Sequence, residues 1–117
     1  MRVITEFGMG TSLRRGDYTE AAARGIKNAL WRNSINAAEL FGFDKSDMQL
    51  TVDVGVQKPQ AVDVDALREI FPYGQPTIRL SQGGLDIARP EGTGNPTVIA
   101  NVAITVSFDM VPVEETA

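Results

Sequence analysis

Cysteine and histidine are both absent from the 117 residues. Without cysteine there is no disulfide framework and no thiolate chemistry. Without histidine the commonest general base and the commonest metal ligand are gone. A transition-metal site is therefore not expected, no cofactor is implied, and acid–base work would fall to Asp, Glu, Lys or Tyr. Basic clusters are also missing: 11 Lys and Arg face 15 Asp and Glu, a net charge of −4. That balance argues against sequence-independent binding to nucleic acid. No apolar run approaches membrane-spanning length, and the chain opens on the strand-like Arg2-Val3-Ile4-Thr5 with no signal-peptide pattern. A soluble, cytoplasmic protein without a membrane partner is expected.

What is present fits one small globular domain over residues 1–117, 43% hydrophobic. Its organising stretch runs from Glu6 to Thr19 and holds Gly8, Gly10, Gly16 and the adjacent Arg14 and Arg15. The alternation Arg2–Phe7 predicts a strand. Gly8 and Gly10 are expected to break it and to make a tight strand-to-helix connection. A phosphate-cradling role is the other reading, but neither the dinucleotide fingerprint nor the Walker pattern is present. Asp17 with Glu20 has the spacing of a capping box, so Asp17 is either a helix cap or a ligand contact. The helix should run from about Tyr18 to Asn33, with Ala22, Ile26, Ala29 and Leu30 as its apolar stripe. Trp31 falls off that stripe, as a rim contact or an interface residue.

Ser34–Asp47 reads as a connector whose Leu40, Phe41 and Phe43 tuck against the core. Met48–Val56 alternates most clearly of all, with Met48, Leu50, Val52, Val54 and Val56 on one face. Asp63 or Asp65 can cap a second, short helix through Leu67 and Ile70, stopped by Pro72-Tyr73-Gly74. Thr77–Ser81 is a third strand, Gln82-Gly83-Gly84 a turn, and Asp86–Pro96 a mobile loop. Thr97–Phe108 is the last strand, with Val98, Ala100, Val102, Ile104 and Val106 on one face, and an acidic tail follows from Pro112.

The order is β-α-β-α-β-β: an α+β domain with a four-stranded mixed sheet and two helices on one face. The bare face carries Gln49, Thr51, Asn101, Ala103 and Thr105, small or neutral residues suited to another subunit's sheet. A homo-oligomer with clefts between subunits follows, and a closed ring also hides strand edges.

Three resemblances can then be stated. Glu6-Phe7-Gly8-Met9-Gly10, Asp17-Tyr18-Thr19-Glu20-Ala21-Ala22, Phe71-Pro72-Tyr73-Gly74, Gly83-Gly84 and the strand around Asn101 resemble the Lin-type family of small uncharacterised bacterial proteins, over nearly the whole chain. That resemblance brings no established activity. Arg14-Arg15-Gly16 stands where that family usually has His-Gly-Gln. Gly8-Met9-Gly10-Thr11 with Asp17-Tyr18-Thr19, and Ser81-Gln82-Gly83-Gly84, are similar to segments of one repeat of the cyanuric acid hydrolase and barbiturase family. Its catalytic lysine is replaced here by Met9, and Gln82 rather than Ser81 precedes the glycine pair, so ring-opening hydrolysis is not implied. The element order and Gly83-Gly84-Leu85 also resemble the trimeric Bacillus-type chorismate mutase fold. Asn101 stands where a mutase needs arginine, so that activity is not implied either. Together the resemblances imply a homotrimer with three interfacial clefts.

Glu6 and Lys58 are the candidate catalytic residues. Gly8, Gly10, Arg14, Arg15, Asp17, Tyr73, Gly83, Gly84 and Asn101 are the candidate contacts for a small anionic or cyclic polar metabolite. Asp53 is either a buried interface carboxylate, usable in proton transfer, or a charge against wrong pairing. Two function classes fit: an enzyme with interfacial sites, or a non-catalytic binding or regulatory module using the same cleft.

Overall fold

A computed structural model describes residues 2–32, 48–71 and 75–108. The expected Ser34–Asp47 connector with Leu40, Phe41 and Phe43, the Tyr73 corner and the acidic tail lie outside the described residues, as does the side chain of Trp31. Strand β1 (Arg2–Ser12) leads into helix α1 (Tyr18–Arg32), and strand β2 (Met48–Val56) follows. A 3-10 turn (Pro59–Ala61) precedes the short helix α2 (Val64–Arg68), capped by Asp63, whose side chain accepts from the backbone N–H of Asp65 and Ala66. Strands β3 (Gln75–Gln82), β4 (Leu85–Ile87) and β5 (Thr97–Phe108) complete the domain.

Among the described residues the sheet has five strands, not four. Its order is β1-β5-β2-β3, with β4 also on β5. The extra strand takes Leu85–Ile87, partly out of the expected loop, and pairs with Thr97–Ile99. Among the described residues only β2 and β3 pair in parallel; β5 runs against β1, β2 and β4. Consequently β1, β2 and β3 all point the same way and end at the same edge of the sheet.

Alternation assigns the faces as expected on β2 and β5. Leu50, Val52, Val54 and Val56, with Val98, Ala100, Val102, Ile104 and Val106, are buried under the helices. Ala21, Ala22, Ile26 and Ala29 of α1 and Leu67 of α2 close this core.

The expected end of β1 at Phe7 is corrected: the strand continues through both glycines to Ser12. Gly8 and Gly10 do not break it, because strand conformation is not where their lack of a side chain matters. They lie under α1, which approaches so closely that a Cβ on Gly8 would stand 2.4 Å from the Gly25 carbonyl oxygen. At Gly10 it would stand 2.1 Å from the Ala21 oxygen. Real Cβ atoms do not approach that near, so the glycines and the alanines of α1 together set the helix-to-sheet distance.

Helix α1 also guards the outer edge of β1. Asn28 Oδ1 accepts from the Met9 N–H at 3.1 Å, and Arg24 Nη1 donates to the Thr11 carbonyl at 2.8 Å. Two of the groups through which another strand would pair are thereby occupied.

Candidate functional site

The common carboxyl edge of β1, β2 and β3 is where open α/β sheets place ligands. Three connections meet there: Leu13–Asp17 after β1, Gln57–Lys58 after β2, and Gly83–Gly84 after β3. The last of these crosses the end of β2 to reach β5. Gly83 N–H donates to the Val56 carbonyl at 2.9 Å, and a Cβ on Gly83 would lie 3.2 Å from Gly55 Cα. Gln57 Nε2 pins the crossing by donating to the Gly83 and Gly84 carbonyls at 3.1 and 3.2 Å. Gly84 has φ +63, and a Cβ there would run into the Ile99 carbonyl oxygen.

At the start of α1, Asp17 Oδ1 accepts from the Glu20 N–H at 2.9 Å, while the Asp17 N–H donates to buried Ser12 Oγ at 3.2 Å. Asp17 is thus placed as a cap, whatever else it contacts. Asp17→Ala is expected to cost about 1 kcal/mol, read as a lower urea midpoint at unchanged slope. No loss would mean that Glu20 finds another acceptor.

Arg14 and Arg15 are exposed, and among the described residues neither guanidinium has a carboxylate partner. With Leu13, Glu20 and Arg24 they line a shallow cleft of about 240 Å³. Arg24 is already engaged, with Glu20 at 3.3 Å and the Thr11 carbonyl. The loop is braced from the far side: Asn95 Nδ2 and Arg89 Nη2 donate to the Arg14 carbonyl at 3.3 and 3.4 Å. This leaves two planar cations on a held backbone, a donor set suited to carboxylate or phosphate.

The other candidates are dispersed. Lys58 is exposed at the same edge. Glu6 lies on the helix-covered side of β1, six residues before the strand ends, or about 20 Å at strand rise. Glu6 and Lys58 are therefore not brought together. Asn101 is exposed on the open face, where it lines a second depression of about 240 Å³ with Phe7, Asp53, Gly55 and Ser81. Asp53 is held there by Arg79 in a two-point ion pair at 2.7 and 3.0 Å.

A pair the sequence reading missed sits at the start of α1. The hydroxyl of Tyr18, a largely buried residue, donates to Asp86 Oδ2. That hydrogen bond, then burial, then the charge of Asp86 push the phenol up to about 12. The other carboxylate oxygen, Asp86 Oδ1, is buried with no hydrogen-bond partner among the described residues. The only sequence signal was a carboxylate between Leu85 and Ile87, legible once Leu85–Ile87 is known to be a strand.

The sequence profile of the conserved hypothetical Lin0512 family matches residues 2–106. The chain belongs to the Lin0512 family. No curated protein matches it. Among solved structures it is similar to a crystal structure of an FtsZ-like protein of unknown function from Nostoc punctiforme. The two share 30% identity with a TM-score of 0.79, over 91% of this chain and 93% of the other. The resemblances to cyanuric acid hydrolase and to chorismate mutase find no support in these comparisons. The Lin0512 family match spans both the glycine-bearing strand under α1 and the arginine loop.

Proposed function

We propose that this protein is a non-catalytic binding or regulatory module for a small anionic or cyclic polar metabolite. Its ligand is held at the carboxyl edge of the sheet, in clefts completed by neighbouring copies in a homotrimer of chorismate mutase-like architecture. The observation that carries the reading is the cleft holding Arg14 and Arg15, two cations with no carboxylate partner among the described residues, on a braced loop where β1, β2 and β3 all end. At about 240 Å³ the cleft falls below the roughly 300–1,000 Å³ of ordinary ligand pockets, which favours a second subunit as its missing wall. The binding reading is favoured over the enzyme reading by the separation of Glu6 from Lys58 and by the engagement of Asp53 with Arg79.

A thermal-shift screen with malonate, inorganic phosphate and cyclic amides tests it. A bound anion at a hundredfold its Kd should add about 2.7 kcal/mol, or roughly 10 °C for a domain of this size. Arg14→Ala with Arg15→Ala should abolish the shift. A screen with no stabilising compound would sink the reading, and chemical turnover of a stabilising compound would replace it with the enzyme alternative.

A further inference from the structure

We infer that the open sheet face is the seat of a second copy of this chain, docked face-on through an apolar patch at the β1, β4 and β5 side. This rests on the oligomeric part of the reading above and names the surface that serves it. The open face is not uniformly polar. Toward the amino-terminal ends of β1, β2 and β3, register aligns Thr5, Thr105, Thr51 and Thr77 in one row across four strands. The next row runs Phe7, Ala103, Asp53, Arg79 and ends in the ion pair. Toward the other end the side chains become apolar: Met9 stands beside Asn101, Leu85 opposite Ile99, and Ile87 opposite Thr97. Leu13 follows at the end of β1.

Phe7, Met9, Leu13, Leu85 and Ile87 are 66, 56, 59, 57 and 48% exposed. At roughly 200 Å² for a fully exposed large side chain, they present on the order of 550 Å² of apolar surface. That is at the upper end of what a monomer shows. A stable interface covers about 800 Å² per partner, some 60% of it apolar, so patch and requirement agree. The threonine row and the Asp53–Arg79 pair supply a polar rim on one side.

The sheet edges favour the same geometry. β1 is guarded by Asn28 and Arg24, and β3 carries Pro76, which has no N–H to donate, and the charged Arg79. Association by strand addition is hindered at both ends of the sheet, while no described element covers the open face. Leu13 belongs both to the patch and to the arginine cleft, so a copy seated on the patch stands beside Arg14 and Arg15 and walls that cleft.

The test is native mass by light scattering on a sizing column. The wild type should elute as a multiple of 12.7 kDa, and Phe7→Glu with Leu85→Glu should run at the mass of one chain with an unchanged circular dichroism spectrum. Because the chain has no cysteine, Ile87→Cys introduces a unique thiol, which should give a covalent dimer on mild oxidation. Lys27→Cys, exposed on α1, should not. A monomeric wild type, or an oligomer indifferent to both glutamates, overturns the docking. Malonate stabilisation reports separately on the cleft: if it persists while the mass result fails, only the docking falls. If the mass result holds and malonate has no effect, only the ligand reading falls.

Discussion

Gly10→Ala should unfold this protein or lower its melting temperature by about 15 °C, a large effect for a single methyl group. The added carbon would stand 2.1 Å from the Ala21 oxygen and 2.2 Å from the Gly25 nitrogen, both of them backbone atoms of α1. A flexible side chain could swing aside, but a helix backbone must move as a body, carrying Ala21, Ala22, Ile26 and Ala29 off the sheet. Ordinary overpacking costs about 1–3 kcal/mol; with no side chain to yield, about 4 kcal/mol is expected, at roughly 4 °C per kcal/mol for this chain length. Gly92→Ala is the comparison. Gly92 has nothing within 4 Å and φ +73, so only a backbone cost of about 1 kcal/mol applies. Equal melting temperatures for the two variants, measured calorimetrically, would mean that α1 rides higher on the sheet than described.

Tyr18→Phe should cost about 2 kcal/mol, because it leaves the Asp86 carboxylate without its donor in a buried setting. A pH dependence accompanies it. The folded phenol sits at about 12 against an ordinary 10, so the folded state holds its proton more tightly than the unfolded state. The stabilisation is complete below pH 10 and is lost as pH rises through 12. Urea unfolding of the wild type should weaken across that window, and Tyr18→Phe should flatten the decline. Ultraviolet titration supplies the direct readout: one of the two tyrosines should ionise late, and that late step should vanish in Tyr18→Phe. Parallel profiles for the two proteins would show that Asp86 is not holding the phenol.

The long periodic elements were legible because one physical signal sufficed for each. β2 and β5 alternate without interruption, α1 carries an apolar stripe behind an Asp17 cap, and the structure places all three within a residue of expectation. The course of β1 was hidden because glycine has two meanings. In a strand it signals a break when read locally, yet Gly8 and Gly10 are demanded by helix residues 11 or more positions away in sequence. β4 was hidden for a related reason: three residues show no periodicity, and only pairing with Thr97–Ile99 makes them a strand. Of the candidate site, what the sequence could indicate was a shared location. Arg14, Arg15, Asp17, Lys58, Gly83 and Gly84 do gather at one edge of the sheet. Glu6 was drawn toward that edge only by the early strand end. Tyr18 and Asp86, 68 residues apart, were beyond reach until the fold brought them together.

The strand order has a kinetic meaning. β1 and β2 do not pair with each other; each pairs with β5, the last strand among the described residues. While the polypeptide is emerging from a ribosome, β1 can collect only its own helix and β2 only β3. The two halves acquire a common neighbour when Thr97–Phe108 arrives, so assembly of the sheet waits for that strand. Contacts of such long sequence separation slow folding, and a chain cut before Thr97 would leave two unfinished halves, each with a bare strand edge.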